Sequence, residues 1–330
     1  MKKYNAVVIG CGSIGALKPI ELDSQASKNV LTFANAFYRN DRINLVGLID
    51  LDHNKMVDAC TKWDCHMHFS LSDIREKINI IAVCVNTEDH FKVITGIKKE
   101  LGYCPEIIIA EKPLGLSQEE CQDIIDYCDE NNIILMVDYI RRYNHHLRSI
   151  RSTIRALWEV EGATIYSCRI AYNRGLYRDG CHAIDFCNYI FGSFIDGYRL
   201  EGPAIIDLDD TDPTYSYHLI YEGCKNVVMT AIDGRYCSMF EFDIINGGRI
   251  RLLNNFAKIE IYDLEKDGTY GSYSRLCQVP FVSIDTNLAN TLTELVDNAV
   301  AFLNCEDVPH CTGTDALQVH KIINHIRGRA

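Results

Sequence analysis

Five short stretches in the first 140 residues are apolar almost without interruption. They are NAVVIG (5–10), INLVGLID (43–50), INIIAVCV (78–85), EIIIAEKP (106–113) and IILMVDY (133–139). Strands that are apolar throughout are buried on both faces, as in a parallel sheet covered by helices. Helical period follows the third and fourth stretches, in HFKVITGIKKEL (90–101) and SQEECQDIIDYCDENN (117–132). Ser117 and Glu120 have the spacing of a capping box at the start of the latter. Strand and helix in alternation, joined by right-handed crossovers, predict a doubly wound α/β sheet.

The pattern changes in the second half. TYSYHLIY (214–221), KNVVMTAID (225–233), SMFEFDIIN (238–246) and GRIRLLNNFAKIEIYDL (248–264) alternate like half-buried strands, with turns such as NGG between them. NLANTLTELVDNAVAFLN (287–304) and TDALQVHKIINHIR (314–327) predict two closing helices. No repeat or low-complexity linker separates the halves. The expectation is an N-terminal nucleotide-binding domain over 1–140 and an α+β domain over 141–330.

Composition narrows the classes of function. The chain has 330 residues, 47% of them apolar and 24% charged, with a net charge of −12. Two domains fit that length. The acidic balance and the lack of a Lys/Arg block argue against a nucleic-acid partner. No apolar run reaches the ~18 residues that cross a bilayer, so no membrane partner is expected. Gly10 and Gly12 end the short N-terminal apolar run, against a signal peptide. The fifteen cysteines include no Cys-x-x-Cys pair, and several, such as Cys84 and Cys187, sit in apolar runs. That usage fits small buried hydrophobes in a reduced, cytoplasmic chain.

The first strand runs into Gly10-x-Gly12-x-x-Gly15. Gly10 permits a tight turn, Gly12 a close approach of backbone to a pyrophosphate, and Gly15 close packing. Free N–H groups at the helix start that follows suit the phosphates. Asp50 ends the second strand 35 residues after Gly15, whereas about 20 is usual. Pro19 is expected to stop the first helix early, leaving residues 16–28 as an insertion and a later helix in VLTFANAFYRN (30–40). Asp50 suits the adenine ribose hydroxyls and repels a 2′-phosphate, and no Arg follows it. NAD is therefore expected over NADP, with Lys55 or an insertion lysine as the cation that would reverse the preference.

Glu111-Lys112-Pro113 ends the fourth strand, at the edge of such a sheet where ligands bind. A lysine there can hydrogen-bond a substrate hydroxyl and stabilise an alkoxide. Pro113 holds Lys112 extended and admits a cis bond.

With VVIGCGSIG, LVGLID, IIAVCVNTEDH, AEKPLG, VDYIRRYN and GCHAIDFCNYIFG in this order, the chain resembles the glucose–fructose oxidoreductase, inositol dehydrogenase and rhizopine-catabolism (Gfo/Idh/MocA) oxidoreductases. The resemblance implies a Rossmann domain followed by a domain with a large open, mostly antiparallel sheet, whose face forms homodimers or homotetramers. It implies NAD(P)-dependent oxidation or reduction of a sugar, nucleotide sugar, cyclitol or related polyol. It also implies that Ser13, Ile14, Val85, Asn86, His90, Glu111 and Lys112 join Gly10, Gly12, Gly15 and Asp50 in holding the cofactor. In such enzymes an Asp stands four residues before the catalytic His. Here Gly180, His182 and Asp185 fit the pattern, but the expected Asp position is Arg178 and Asp179 lies one residue late. On a helix start that offset turns the carboxylate by about 100°.

The resulting expectation gives Lys112 the reacting hydroxyl and His182 its proton, since an imidazole pKa near 6.5 suits that role. Asp179 stands in for the shifted acid, and Asp185, one turn after His182, orients the ring or binds substrate. Tyr172, Arg174 and Arg178 line the substrate pocket. Arg142, or Arg141 beside it, meets an anionic substrate or else forms ion pairs. The alternative is a dinucleotide-binding sensor without turnover, for which Arg178 speaks and Lys112 with His182 speak against. CHMHF (65–69) has the look of a metal cluster, but a strand splits it between two faces, and no metal site is expected.

Overall fold

A computed structural model describes residues 2–207 and 210–328. The chain forms two compact units, Met1–Asn144 with Ala289–Gln318, and His145–Leu288 with Val319–Ala330. The first therefore takes in chain from near the C-terminus as well as the N-terminal stretch.

In the first unit the elements are β1 (Tyr4–Ile9), α1 (Phe33–Arg39), β2 (Ile43–Ile49), α2 (His53–Trp63), β3 (His66–Met67), β4 (Ile80–Val83), α3 (His90–Leu101), β5 (Ile107–Ala110), α4 (Gln118–Glu130) and β6 (Ile134–Val137). The strands pair in parallel in the order β3-β2-β1-β4-β5-β6. Every residue of β4 and β5 is buried, as two-sided coverage demands of a strand without polar positions. The order reverses between β1 and β4, and at that point ligands bind beyond the carboxyl ends of the strands. Ser117 caps α4 by accepting the Glu120 N–H. Glu120 returns its carboxylate to the Leu116 N–H at 2.7 Å rather than to that of Ser117, so the box closes one residue early.

No continuous helix follows the glycines. Ala16 and Leu17 both donate to the Gly12 carbonyl, making one turn, and the chain then leaves on an excursion. It returns at Phe33 and Ala34, whose N–H groups donate to the carbonyls of Ile14 and Gly15, each at 2.9 Å. The first helix is thus interrupted in chain but joined in its hydrogen bonds. The excursion is organised by Asp23, fully buried, which accepts from the Leu31 N–H, the Thr32 hydroxyl and the Asn35 amide at 2.9, 2.7 and 2.6 Å. Arg39 donates to the carbonyls of Ser24, Gln25 and Ser27. From α2, the Trp63 indole N–H holds the Ala16 carbonyl.

In the second unit the elements are α5 (His145–Arg155), β7 (Ser167–Tyr172), α6 (Cys181–Phe191), β8 (Phe194–Arg199), β9 (Tyr217–Tyr221), β10 (Val227–Ala231), β11 (Glu241–Ile245), β12 (Arg249–Leu253), β13 (Lys258–Tyr262), β14 (Leu264–Lys266), β15 (Ser274–Leu276) and β16 (Val282–Asp285). Eight strands form one sheet in the order β16-β13-β12-β11-β7-β10-β9-β8, with β14 and β15 a separate hairpin. Only the β7–β10 pair is parallel among the pairs described. On β11, Phe242 and Ile244 are buried while Glu241, Asp243 and Ile245 are half-exposed, the alternation of a one-sided sheet. Phe186 of α6 meets the rings of Phe242 and Phe256 edge-on at 5.6 and 4.9 Å, which fixes α6 on that face. The closing helices are α7 (Thr291–Leu303), in the first unit, and α8 (Gly313–Arg327).

Candidate functional site

In the first unit the glycine turn divides its labour by space. Gly10 has φ +98°, and a methyl group there would lie 2.5 Å from the Cys84 carbonyl oxygen. At Gly15 a methyl would lie 1.7 Å from the Gly10 carbonyl oxygen, so this glycine is required by the turn's own backbone. A methyl at Gly12 would meet nothing within 4 Å. The N–H groups of Gly12, Ser13 and Ile14 have no hydrogen-bond partner among the described residues. Open donors beside an uncovered glycine fit a dinucleotide pyrophosphate. Asp50 is fixed beside the turn, its Oδ2 accepting the Cys11 N–H at 2.6 Å and its Oδ1 the Asp52 N–H at 2.8 Å.

Val85 and Asn86 follow β4. His90 is fully buried, with Nδ1 3.0 Å from the Leu114 carbonyl and Nε2 3.2 Å from that of Val85. It ties the turn after β4 to the turn after β5. Desolvation is the larger influence and lowers its pKa, against the two carbonyls. Both nitrogens of this buried ring, expected from sequence at the cofactor, face backbone carbonyls.

The Lys112–Pro113 bond is cis. Glu111 donates its N–H to the Val83 carbonyl and accepts the Lys112 N–H at 3.3 Å. Behind this turn lies Asp138, at the end of β6, 7% exposed. The Glu111 and Asp138 carboxyls hydrogen-bond each other. Desolvation raises both pKa values, that of Asp138 well above the usual carboxylate range, with the Glu111 charge adding to the rise there. The charges of Lys112, Lys18 and Arg141 oppose these shifts. Neither Glu111 Oε1 nor Asp138 Oδ1 is reached by an N–H or hydroxyl donor. Two facing carboxyls in that position can satisfy each other only by sharing a proton. Arg142, 6% exposed, forms an ion pair with Asp315 of α8 at 2.8 Å. That is the ion-pair alternative left open by the sequence.

In the second unit, residues 173–185 are held by acids from a distant loop. Arg174 has φ +60°, and its N–H donates to Asp207 at 2.8 Å. Gly175 has φ +87°, and its N–H donates to Thr214 Oγ1 at 2.7 Å. Asp212 then accepts the N–H groups of Leu176, Tyr177 and Arg178 at 3.0, 2.9 and 3.2 Å. Residues 176–180 form a π turn that leads into α6. The offset expected for Asp179 is therefore somewhat smaller than the 100° of an α-helix, because a π turn is wider than an α turn. Asp179 is paired with Arg174, Oδ2 lying 2.8 Å from Nε and from Nη2. Tyr172, expected from sequence at the substrate pocket, is fully buried, and its hydroxyl donates to the Tyr215 carbonyl at 2.5 Å. His182 is half-buried in the first turn of α6, its ring edge-on to Phe240 at 6.5 Å, and Asp185 is 1% exposed.

The family model for the oxidoreductases with an NAD-binding Rossmann fold, GFO_IDH_MocA, matches residues 4–139. Over that stretch the chain is similar to the Gfo/Idh/MocA oxidoreductases. A curated relative, the uncharacterized oxidoreductase YrbE of Bacillus subtilis, is 26% identical over 202 residues. That match covers 54% of this chain and spans 57% of the relative's length. The whole chain shares its fold with solved structures. UDP-N-acetylglucosamine 3-dehydrogenase GnnA of Acidithiobacillus ferrooxidans has a TM-score of 0.70 at 13% identity, covering 99% of this chain and 98% of that one. A super-repressor mutant of Gal80p of Saccharomyces cerevisiae has a TM-score of 0.73 at 13% identity, covering 99% and 95%.

The structure brings together Gly10, Gly12, Ser13, Ile14, Gly15 and Asp50 in one unit, with Val85, Asn86, Glu111 and Lys112 on the neighbouring strand ends. Arg174, Arg178, Asp179, His182 and Asp185 come together in the other. Sequence reading missed Asp138, Asp207 and Asp212. Asp207 and Asp212 lie in an acid-rich run, DLDDTDP (207–213), whose capping residues were its only signal. No helix among the described residues is long and apolar enough to cross a membrane.

Proposed function

We propose that this chain is an NAD-linked oxidoreductase that moves a hydride between nicotinamide and the hydroxyl-bearing or carbonyl carbon of a sugar, nucleotide sugar or cyclitol. The observation that carries the reading is Lys112, placed by a cis-proline turn at the carboxyl end of β5, beside the strand-order reversal and its glycine cradle. A bound nicotinamide supplies the hydride acceptor or donor. Lys112 donates a hydrogen bond to the reacting oxygen and stabilises its negative charge. His182, in the second unit, is our candidate for the proton carrier of the reaction. Asp179 and Arg174 neutralise each other, which fits Asp179 to holding the segment's shape more than to taking a proton. Arg178 adjoins them and suits an anionic substrate group such as a diphosphate or uronate.

NAD is preferred over NADP because Asp50 is anchored beside the turn, where its charge opposes a 2′-phosphate. Lys55, the nearest candidate to offset that charge, lies 3.9 Å from Asp52. The open sheet of the second unit fits self-association as a homodimer or homotetramer. The odd, unpaired cysteine complement fits a reducing, cytoplasmic compartment.

NADH formation against a panel of sugars, nucleotide sugars and inositols tests the reading. Lys112→Met and His182→Ala should each abolish turnover, with NADH still bound. Turnover that survives either substitution would sink the mechanism. The sensor reading draws on Arg178 and on the likeness to Gal80p. NADH binding without turnover on any panel member would favour it.

A further inference from the structure

We propose that Cys60 and Cys65 form a two-thiol site that reacts with a low-molecular-weight disulfide, such as glutathione disulfide, and closes reversibly into an intrachain disulfide. The geometry follows from how α2 ends. Asp64 adopts the left-handed conformation, φ +51° and ψ +54°, and its N–H donates to the Cys60 carbonyl. The Cys65 N–H then donates to the same carbonyl at 3.3 Å. The second of these bonds is the mark of a Schellman-type helix end, which brings the residues at its two ends side by side, usually as an apolar contact. Here both are cysteines, and their thiols lie within hydrogen-bond range of each other. The backbone is thus already folded into the loop that a disulfide would close.

The two sulfurs differ in role. The Cys60 S–H donates to the His66 carbonyl, Sγ lying 3.3 Å from it. The contact with Cys65 outweighs burial and holds the Cys60 thiol below its ordinary range, while the same contact and burial raise Cys65. Cys60 is therefore the attacking thiolate and Cys65 the resolving thiol. Cys60 displaces one glutathione thiolate from glutathione disulfide and forms a mixed disulfide. Once Cys60 is derivatised, its negative charge no longer opposes ionisation of Cys65. The Cys65 thiolate attacks Cys60 Sγ and releases the second glutathione. Two protein thiols are oxidised, one small disulfide is reduced, and the two protons leave on glutathione. Cys11 lies close enough to couple electrostatically but stays a spectator. It is fully buried, and burial followed by the Asp50 charge pushes its thiol up to about 12.

The test is peptide mapping of the full chain after exposure to glutathione disulfide and quenching with N-ethylmaleimide. Trypsin cuts after Lys62, so closure joins two peptides that dithiothreitol separates. The exposed thiols of Cys237 and Cys305 serve as internal controls for reagent access. The expected result is the linked Cys60–Cys65 pair in the wild type. Cys65→Ser should retain glutathione on Cys60, and Cys60→Ser should leave Cys65 free of glutathione. Maleimide on both Cys60 and Cys65 while Cys237 and Cys305 carry glutathione would overturn the proposal. So would glutathione held stably on either residue in the wild type, a result that needs no variant to fold.

Discussion

Asp138→Asn tests the buried carboxyl pair and needs no substrate. The pair holds a proton that both side chains give up in the unfolded chain at pKa values of about 3.9 and 4.3. Both folded pKa values are raised, so the pair's contribution to stability is full below the unfolded values and is lost as pH rises toward the folded ones. Across that window the folded state binds one proton more than the unfolded state. Wild-type stability then falls with pH across that window, at a slope of at most on the order of 1 kcal/mol per pH unit for one proton. Asparagine keeps the shape, donates an N–H to Glu111 and removes the shared proton. The stability of Asp138→Asn relative to wild type should therefore climb with pH over that window, by at most on the order of 1 kcal/mol per pH unit. At about 2–4 °C per kcal/mol for a chain of this class, the melting-temperature difference should move by up to a few degrees per pH unit. Thermal melts of both proteins at half-unit pH steps measure it, and the pH at which the two curves become parallel reads the folded pKa. Curves that stay parallel from pH 5 to pH 7 would refute the shared proton.

Gly12→Ala should fold like wild type, since its methyl meets nothing within 4 Å, yet weaken NADH binding at least about tenfold in a fluorescence titration. Gly10→Ala should instead lower the melting temperature, because the left-handed backbone and the contact at 2.5 Å to the Cys84 carbonyl both oppose a side chain. Asp50→Ser should raise the affinity for NADP relative to NAD, as measured by paired titrations. An unchanged ratio would remove Asp50 from cofactor choice. Asp212→Ala leaves three backbone N–H groups without their acceptor and should cost about 1–3 kcal/mol in urea unfolding, with a further loss in kcat if residues 176–182 carry chemistry.

Legibility in the sequence tracked burial. The strands β1, β2, β4, β5 and β6 were readable because both faces of each are largely covered and only Asn5 and Asn44 interrupt the apolar pattern. In the second sheet, β7 reads Ser-Cys-Arg-Ile-Ala-Tyr and β8 carries Asp196 and Gly197 at its centre. Each gains its strand character from its neighbours rather than from its own composition. The glycine turn was legible because each glycine answers a local steric demand. Asp138 was not, since an acid at a strand end ordinarily faces water, and its partner is 27 residues earlier in the chain. His90, Arg142 and Tyr172 were the right residues near the right turns. Their side chains are committed to Val85 and Leu114, to Asp315, and to Tyr215, commitments that only tertiary packing sets.

The joint between Ile14–Gly15 and Phe33–Ala34 makes the start of α1 a splice held by two hydrogen bonds rather than by the chain. Such a splice separates continuity of structure from continuity of sequence. A protease nick inside residues 17–22 would leave both bonds in place. Asp23, Arg39 and Trp63 would still clamp the residues on either side of the cut. The nicked protein should migrate as two pieces under denaturing conditions and still behave as one nucleotide-binding unit before denaturation. The same separation gives this position room to accept longer or shorter excursions without moving the glycine turn.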